Sequence, residues 1–543
     1  ADGATRVSYP SYDFNDWPVE YTGHTISFPL ARRKVFAKVW RLQVGRTMLY
    51  LLDADIPRNK PGHRALTHNL YAGEPEHRLK QQIMLGVGGH RALEALGIRP
   101  TVFHLNEGHA AFCGLDRVRK LVKAGKSLRK ATEIVRGSSV FTTHTPVPAG
   151  HDRYDGKMVA RYLAPIAEEI GLTSQELIAL GRERPDDRKE QFCMTVLALN
   201  LSERVNGVAK LHGKVSREMW RGAFGVKSAN QVPIGHVTNG VHTRTWLAPE
   251  IEPLYRKYLR PRLFGASPKD DWAARADKIP PAEFWAARSM LRAKLVNFIR
   301  ERLVEQIQRR AGGVEDYIAA HQTFDPHALT IGFARRFATY KRAPLIFRDS
   351  KRLAKILNDP DRPVQLVFAG KAHPRDAGGQ AFAAQVYRAA RGAAFRGRVI
   401  VLENYDMLIG RMLTGGCDVW LNNPIRPMEA SGTSGMKPPL HGGLNCSILD
   451  GWWPEAFNKR NGWAIGDGRE MKPQARQDKY DAECIYDLLE TEIVPAFYER
   501  GRDGVPKRWV RMMTNSLKTV ACQFSTHRML GEYVENYYLP AHR

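Results

Sequence analysis

The sequence predicts an α/β protein built on parallel strands, and three observations carry that expectation. Short apolar, β-rich runs alternate with longer helical patterns along most of the 543 residues. The runs fall into two groups separated by a proline- and charge-rich stretch, residues 249–281. Each run ends in polar, glycine-containing or charged residues, and in open parallel sheets that edge is where ligands bind.

In chain order the expected strands are TVFHL (101–105), SSVFTTH (138–144), IGHVTN (234–239), ALTIGFA (328–334), VQLVFA (364–369), RVIVLE (398–403) and DVWLN (418–422). Their β-branched and aromatic content suits a pleated, buried surface. Helical patterns lie between them, for example residues 76–97 and 284–310. In the second, Phe284, Leu291, Leu295, Phe298, Ile299, Leu303 and Ile307 recur at helical spacing, as core packing requires. The segment CQFSTHRMLGEYVENYYLP reads as a terminal helix ending before Pro540. The expected organisation is an N-terminal domain over 1–250, a junction over 251–283 and a C-terminal domain over 284–519. A C-terminal helix over 520–543 is then free to pack back on the first domain.

Composition narrows the function classes. Hydrophobic residues at 43% and charged residues at 25% are ordinary globular values for a chain long enough for two or three domains. No apolar run approaches the roughly 18–20 residues of a membrane span, and the first residues lack a basic-then-apolar signal pattern. Six cysteines without a CxxC point to reduced thiols in a cytoplasmic protein. The formal charge of +26 is spread over helix surfaces such as RVRKLVKAGKSLRK, with no aromatic-interleaved basic block and no helix-turn-helix pattern. That favours a solvated surface attracting anions over a nucleic-acid interface.

The strand-end motifs carry the chemistry. EASGTSGMK (429–437) can form an anion nest from successive backbone N–H groups, with Thr433 and Ser434 adding hydroxyls and Lys437 a charge or attachment point. It is not a P-loop, because Met436 precedes the lysine and Pro438 follows it. ARRFATYKR (334–342) gathers Arg335, Arg336, Lys341 and Arg342 around Tyr340, and Arg336 with Lys341 suits a phosphate. HLNEGH (104–109), with Glu107 and His109, is not HExxH and has no third ligand, so no metal is expected. In HTPVPAGHDRY and TNGVH, His144 and Asn239 sit in turns able to hydrogen-bond a polyhydroxylated ligand. Neither a Gly-x-Ser-x-Gly elbow nor a strand-borne GxGxxG is present, which leaves serine hydrolase and dinucleotide readings weak.

Together with EHRLKQQIMLGVGG, FHLNEGHAAF, RVNGVAKLHG, VTNGVHTRTWL, VFAGKAHPRD, ENYDMLIGRML and GCDVWLNNPIRPMEASGTSGMK, these strings resemble the α-glucan phosphorylases. The resemblance is to the glycogen, starch and maltodextrin enzymes, in the bacterial branch with SGTSGMK, and runs from about residue 35 to residue 540. It implies a GT-B fold of two Rossmann-like domains with parallel sheets facing an interdomain cleft. It also implies pyridoxal 5′-phosphate held as a Schiff base on Lys437, in a cytoplasmic enzyme. The implied reaction is retaining phosphorolysis of an α-1,4-glucan by inorganic phosphate to α-D-glucose 1-phosphate, the cofactor phosphate relaying a proton. By the same resemblance Arg336 and Lys341 contact the substrate phosphate, and Arg335, Thr433 and Ser434 lie near the cofactor phosphate. Glu429, Asn239, His144 and Tyr340 bind glucose hydroxyls with help from Ser431 and Gly432, while Glu107 and His109 fall close by. No nucleic acid or membrane partner is implied, and a homo-oligomer is compatible with the pattern.

Two departures qualify the expectation. No counterpart of the family's N-terminal glycine-rich loop is found in residues 1–35, so an incomplete N-terminal domain is expected. Pro438 and Pro439 stand where helix formers are usual, which threatens to move Lys437. The alternatives are a truncated, catalytically weakened glucan-binding relative and a nucleotide-sugar-dependent GT-B glucan synthase.

Overall fold

A computed structural model of the chain describes residues 4–8, 16–69, 74–259 and 272–542. Two compact units emerge. The N-terminal unit comprises Tyr9–Val208, His212–Val237 and Glu532–Arg543; the C-terminal unit comprises Thr238–Gly531 with Ala1–Ser8 and Ala209–Leu211. The division falls at Val237–Thr238, ahead of residue 250, because Val241, Leu247, Ile251, Tyr255 and Leu259 enter the C-terminal unit's core. Ala276 and Ile279 join the same core, so the described part of 251–283 belongs to that unit and does not link the two.

The N-terminal unit opens with an antiparallel sheet of β1 (Glu20–Leu30), β2 (Arg33–Val44) and β3 (Thr47–Asp53). Ile26, Phe28 and Leu30 alternate inward on β1, and Val35, Ala37 and Val39 on β2. These strands are absent from the expected set: polar or cationic residues break up the apolar pattern of β1 and β2, while β3 does carry an apolar run, MLYLL (48–52), that the expectation omits. A parallel sheet follows, ordered β4-β5-β8-β9: β4 (Phe103–Asn106), β5 (Ser139–Thr142), β8 (Arg204–Gly207) and β9 (Ile234–His236). A two-residue pair, β6 (Arg153–Tyr154) and β7 (Phe192–Cys193), lies between them in sequence. β8 also went unpredicted. Asn206 interrupts its apolar pattern, yet it is fully buried and bonds Thr142 Oγ1 (2.8 Å) and Tyr533 Oη (2.9 Å).

The C-terminal unit is built on six parallel strands, ordered β12-β11-β10-β13-β14-β15. They are β10 (Leu329–Ala334), β11 (Val364–Ala369), β12 (Val399–Leu402), β13 (Val419–Asn422), β14 (Leu444–Ile448) and β15 (Gly462–Ile465). Every residue of β10, β11, β13 and β14 is buried. For β10, β11 and β13, burial on both faces explains why they read as nearly continuous apolar runs. The chain leaves β10 toward β11 and β12, then resumes on the other side with β13, so the topological switch point lies between β10 and β13. The helix Pro281–Arg309 buries Phe284, Leu291, Leu295 and Ile299 as expected, but also Arg288 and Arg292. Both arginines meet the buried Asp418, at 3.1 and 2.8 Å.

The terminal segment is helical over Thr526–Tyr533, takes a π turn over Val534–Tyr538 and continues over Leu539–His542. It therefore continues past Pro540, whose missing N–H deletes one bond of the helix directly after the π turn. Its tyrosines are tied to the parallel sheet of the N-terminal unit: Tyr538 Oη meets His104 Nδ1 at 2.6 Å, and His104 Nε2 meets Thr142 Oγ1 at 2.7 Å. Among the described residues no helix is long and apolar enough to cross a membrane.

Candidate active site

The switch point of the C-terminal unit brings its strand-end motifs together. β10 ends at Ala334 and delivers Arg335 directly, while the loop after β13 delivers Glu429. Both side chains are buried. Arg335 Nη1 lies 3.4 Å and Lys341 Nζ 3.1 Å from the same Glu429 oxygen. Arg335 Nη2 also donates to Ser434 Oγ at 3.1 Å, and Ser434 Oγ accepts from Trp420 Nε1 at 3.2 Å. Arg336 is exposed and makes no ion pair with any described residue, but its charge acts on Tyr340 and Lys341. Tyr340 stacks beside Lys341 Nζ, 5.3 Å from the ring centre, and its carbonyl accepts from Ile425 N. Asn239 offers its carbonyl to Arg528, and among the described residues no side-chain bond of Asn239 fixes its amide.

EASGTSGMK folds as a left-handed Gly432 (φ 77°) followed by a 3₁₀ turn over Thr433–Met436. Lys437 follows in ordinary right-handed geometry, and a second 3₁₀ turn spans Pro438–His441. The two prolines occupy the first positions of that turn, whose N–H groups have no partner within it, so they close the segment without breaking it. His441 at its end accepts from Ala248 N at 2.9 Å, and Tyr255 Oη donates to the Leu440 carbonyl at 2.8 Å. These bonds aim Lys437 at Trp246, with Nζ 3.8 Å from the indole centre. Burial, with Arg335 nearby, pushes the Lys437 amine down to about 8. Burial likewise lowers Lys341, against the pull of Glu429.

One further acid supports the loop from β14. Asp450 is 1% exposed; its Oδ2 accepts from Glu429 N at 2.9 Å and its Oδ1 from Gly451 N at 2.8 Å. Trp452 N donates to the Ser431 carbonyl at 3.0 Å. Gly451 has φ 58°, and a Cβ there would lie 2.3 Å from that carbonyl, so only glycine permits the approach. Burial, reinforced by Glu429, pushes the Asp450 carboxyl up to about 7.

The N-terminal unit assembles a second polar group at the tips of β4 and β5. Glu107 adopts φ 61°, a left-handed conformation unusual for a side-chain-bearing residue. Its carboxylate accepts from His144 N and from Thr145 Oγ1 (2.8 Å), tying the two strand ends together. His144 Nε2 lies 3.2 Å from Asn106 Oδ1, and burial lowers the His144 imidazole despite the pull of Glu107. His109 lies 3.4 Å from Asp152, which also holds Arg78. His90, Glu94 and Asp116 have metal-like spacing, but Asp116 is already engaged by His90, Arg91 and Arg119.

Several members of the C-terminal cluster carry no functional signal in sequence. Trp246 beside Lys437, Tyr405 near Arg335, Trp420 on Ser434 and Asp450 behind Glu429 are an ordinary tryptophan, tyrosine or aspartate in their own motifs. Tyr405 lies in ENYD at the end of β12, a strand-end position that was the only available hint. The cluster suits an anion: Arg335 and Lys341 meet at Glu429, with Asp450 behind it, while the charge of Arg336 bears on Lys341 and that of Arg335 on Lys437. Arg335 Nε and Ser431 Oγ are buried with no hydrogen-bond partner among the described residues. Buried donors of this kind are normally satisfied, so a phosphate-bearing group fits them.

Residues 87–491 match the family model for carbohydrate phosphorylase. The chain is 43% identical over 548 residues to the maltodextrin phosphorylase of Thermococcus litoralis, covering 99% of this chain and 64% of that protein. It is 44% identical over 565 residues to the glycogen phosphorylase of Mycobacterium tuberculosis, covering 100% of this chain and 64% of that protein. The glycogen phosphorylase of Aquifex aeolicus is 40% identical, with 93% and 72% covered. The chain thus spans just under two thirds of the length of the first two relatives. A parallel sheet in each unit agrees with the GT-B fold class.

Proposed function

This chain belongs to the carbohydrate phosphorylase family, and from that premise we propose that it phosphorolyses α-1,4-glucans, releasing α-D-glucose 1-phosphate with retention. The observation that carries the proposal is the buried cation cluster around Glu429 at the switch point, with unsatisfied donors on Arg335 and Ser431. A reaction that brings two phosphates together needs such a cluster to offset their repulsion.

In this reading Lys437 holds pyridoxal 5′-phosphate covalently, and Arg335, Thr433 and Ser434 receive its phosphate. When bound, the cofactor supplies a phosphate group that exchanges a proton with the substrate phosphate. Arg336 and Lys341 clamp inorganic phosphate, Arg336 as a planar fork and Lys341 as a point charge. A proton passes from that phosphate to the departing glycosidic oxygen. The C1–O bond breaks, and a phosphate oxygen forms the new bond to C1 on the same face. Glu429 turns from its cations to accept from glucose hydroxyls, the N–H groups of Ser431 and Gly432 donate to hydroxyl oxygens, and Asn239 and Tyr340 bond further hydroxyls. His144 is proposed to contact sugar as well, with Glu107 and His109 fixing its surroundings. Removing Arg336 or Lys341 is expected to cost on the order of 10²–10³ in rate.

The test has two readouts. Pyridoxal absorbance should be present in the purified protein and lost in Lys437→Ala. Incubation with maltodextrin and phosphate should release glucose 1-phosphate. No cofactor absorbance overturns the proposal, and cofactor without turnover favours a weakened glucan-binding relative.

A further inference from the structure

We infer that Asp450 is the positioning residue of Glu429: from behind the loop it anchors the Glu429 backbone, so that the side chain meets Arg335 and Lys341. The inference rests on the phosphorolysis reading for the identity of the anion those cations take. Asp450 follows β14, and Glu429 lies in the loop after β13, the neighbouring parallel strand. Between these tips the Asp450–Trp452 turn grips Glu429–Ser431 at two points. Asp450 Oδ2 accepts from Glu429 N at 2.9 Å, and Trp452 N donates to the Ser431 carbonyl at 3.0 Å. The other oxygen, Oδ1, accepts from Gly451 N at 2.8 Å, which fixes the carboxylate plane.

A carboxylate is needed because both N–H groups require an acceptor. An asparagine supplies one acceptor oxygen and turns its amide donors on the other N–H. Among the described residues Asp450 makes no hydrogen bond or ion pair with Arg335 or Lys341, so it acts on those cations through Glu429. Loosening the Glu429 backbone therefore alters how firmly its side chain occupies Lys341, which inorganic phosphate would otherwise take, and Arg335, which the functional proposal gives to the cofactor phosphate.

A double-mutant cycle tests this on the full chain: wild type, Asp450→Asn, Glu429→Gln and the double variant. Affinity for inorganic phosphate, by calorimetry, and kcat and KM for maltodextrin are measured in all four. Glu429→Gln frees the cations and should tighten phosphate about tenfold. Asp450→Asn should tighten it about threefold in the wild-type background and leave it unchanged in the Glu429→Gln background. Its loss of kcat, about tenfold, should likewise vanish in that background. Equal effects of Asp450→Asn in both backgrounds overturn the inference, since the residue would then act without Glu429. If Asp450→Asn does not fold, Asp450→Ser, which keeps one acceptor oxygen, carries the same cycle. Phosphate affinity needs no turnover, so a coupled cycle without glucose 1-phosphate formation refutes the functional proposal and leaves this inference standing.

Discussion

Replacing Glu429 by glutamine should destabilise the C-terminal unit and make its stability depend on phosphate. Glu429 faces Lys341 at 3.1 Å and Arg335 at 3.4 Å, and both it and Arg335 are buried. At an effective dielectric near 20, unit charges at those separations attract by about 5 kcal/mol per pair. Desolvation offsets most of that while the pairs are intact, but removing the shared acid leaves two buried cations uncompensated. The net cost expected is about 3–5 kcal/mol, or a fall of roughly 6 °C or more in Tm for a unit of this size. Phosphate should refill the vacancy: at a hundred times its Kd it returns about 2.7 kcal/mol. Scanning calorimetry of wild type and Glu429→Gln, with and without inorganic phosphate, measures this directly. The variant should melt well below wild type without phosphate and recover more than half the difference with it. Equal melting temperatures without phosphate, or equal increments with it, would refute the reasoning that these cations are held by one acid and await an anion.

Two pH dependences follow from buried groups. Burial and Arg335 push the Lys437 amine down to about 8; if it carries the cofactor as proposed, it attacks the aldehyde only when neutral, so loading of pyridoxal 5′-phosphate onto stripped protein should accelerate about tenfold per pH unit up to pH 8 and then level off. An acceleration continuing past pH 9, followed by absorbance, would contradict an environment that depresses this lysine. Burial holds His104 neutral down to about 4, against an ordinary value of 6.5. Because the folded-state value is the lower one, the stability from neutral His104 is complete above about pH 6.5 and is lost as pH falls toward 4, by up to about 3 kcal/mol. The C-terminal helix bonded to it through Tyr538 should therefore show faster hydrogen exchange over 532–542 at pH 5 than at pH 8, after correction for intrinsic rates. Unchanged protection would refute that coupling.

How much was legible in sequence depended on how each segment is buried. β10, β11 and β13 are covered on both faces, so nearly every residue is apolar and the runs stand out. β1 and β2 bury one face, and their alternation with Lys, Arg and Ser resembles loop composition. β8 and β14 place Asn206, Asn445 and Ser447 in the core, where each finds a partner across the sheet or in the adjacent loop. Such partners are invisible until the strands are ordered. Arg288 and Arg292 interrupt the apolar stripe of their helix for the same reason: Asp418 lies more than a hundred residues further along the chain.

By itself the sequence determined the α/β class, two groups of strands, and the clustering of Arg335, Arg336, Lys341, Glu429 and Lys437 in strand-end motifs. Those properties are local, set by residue type and spacing within a few turns or a single strand. Tertiary structure decided which tips meet. It set the switch between β10 and β13, which pairs Arg335 with Glu429, and the adjacency of β13 and β14, which puts Asp450 behind that acid. It also aimed Lys437 at Trp246 through two 3₁₀ turns that the prolines fit. The physical reason is that a carboxylate's partner and a lysine's proton affinity depend on burial and on charges a few ångströms away. Only the order of strands in the sheet brings those distant residues within that range.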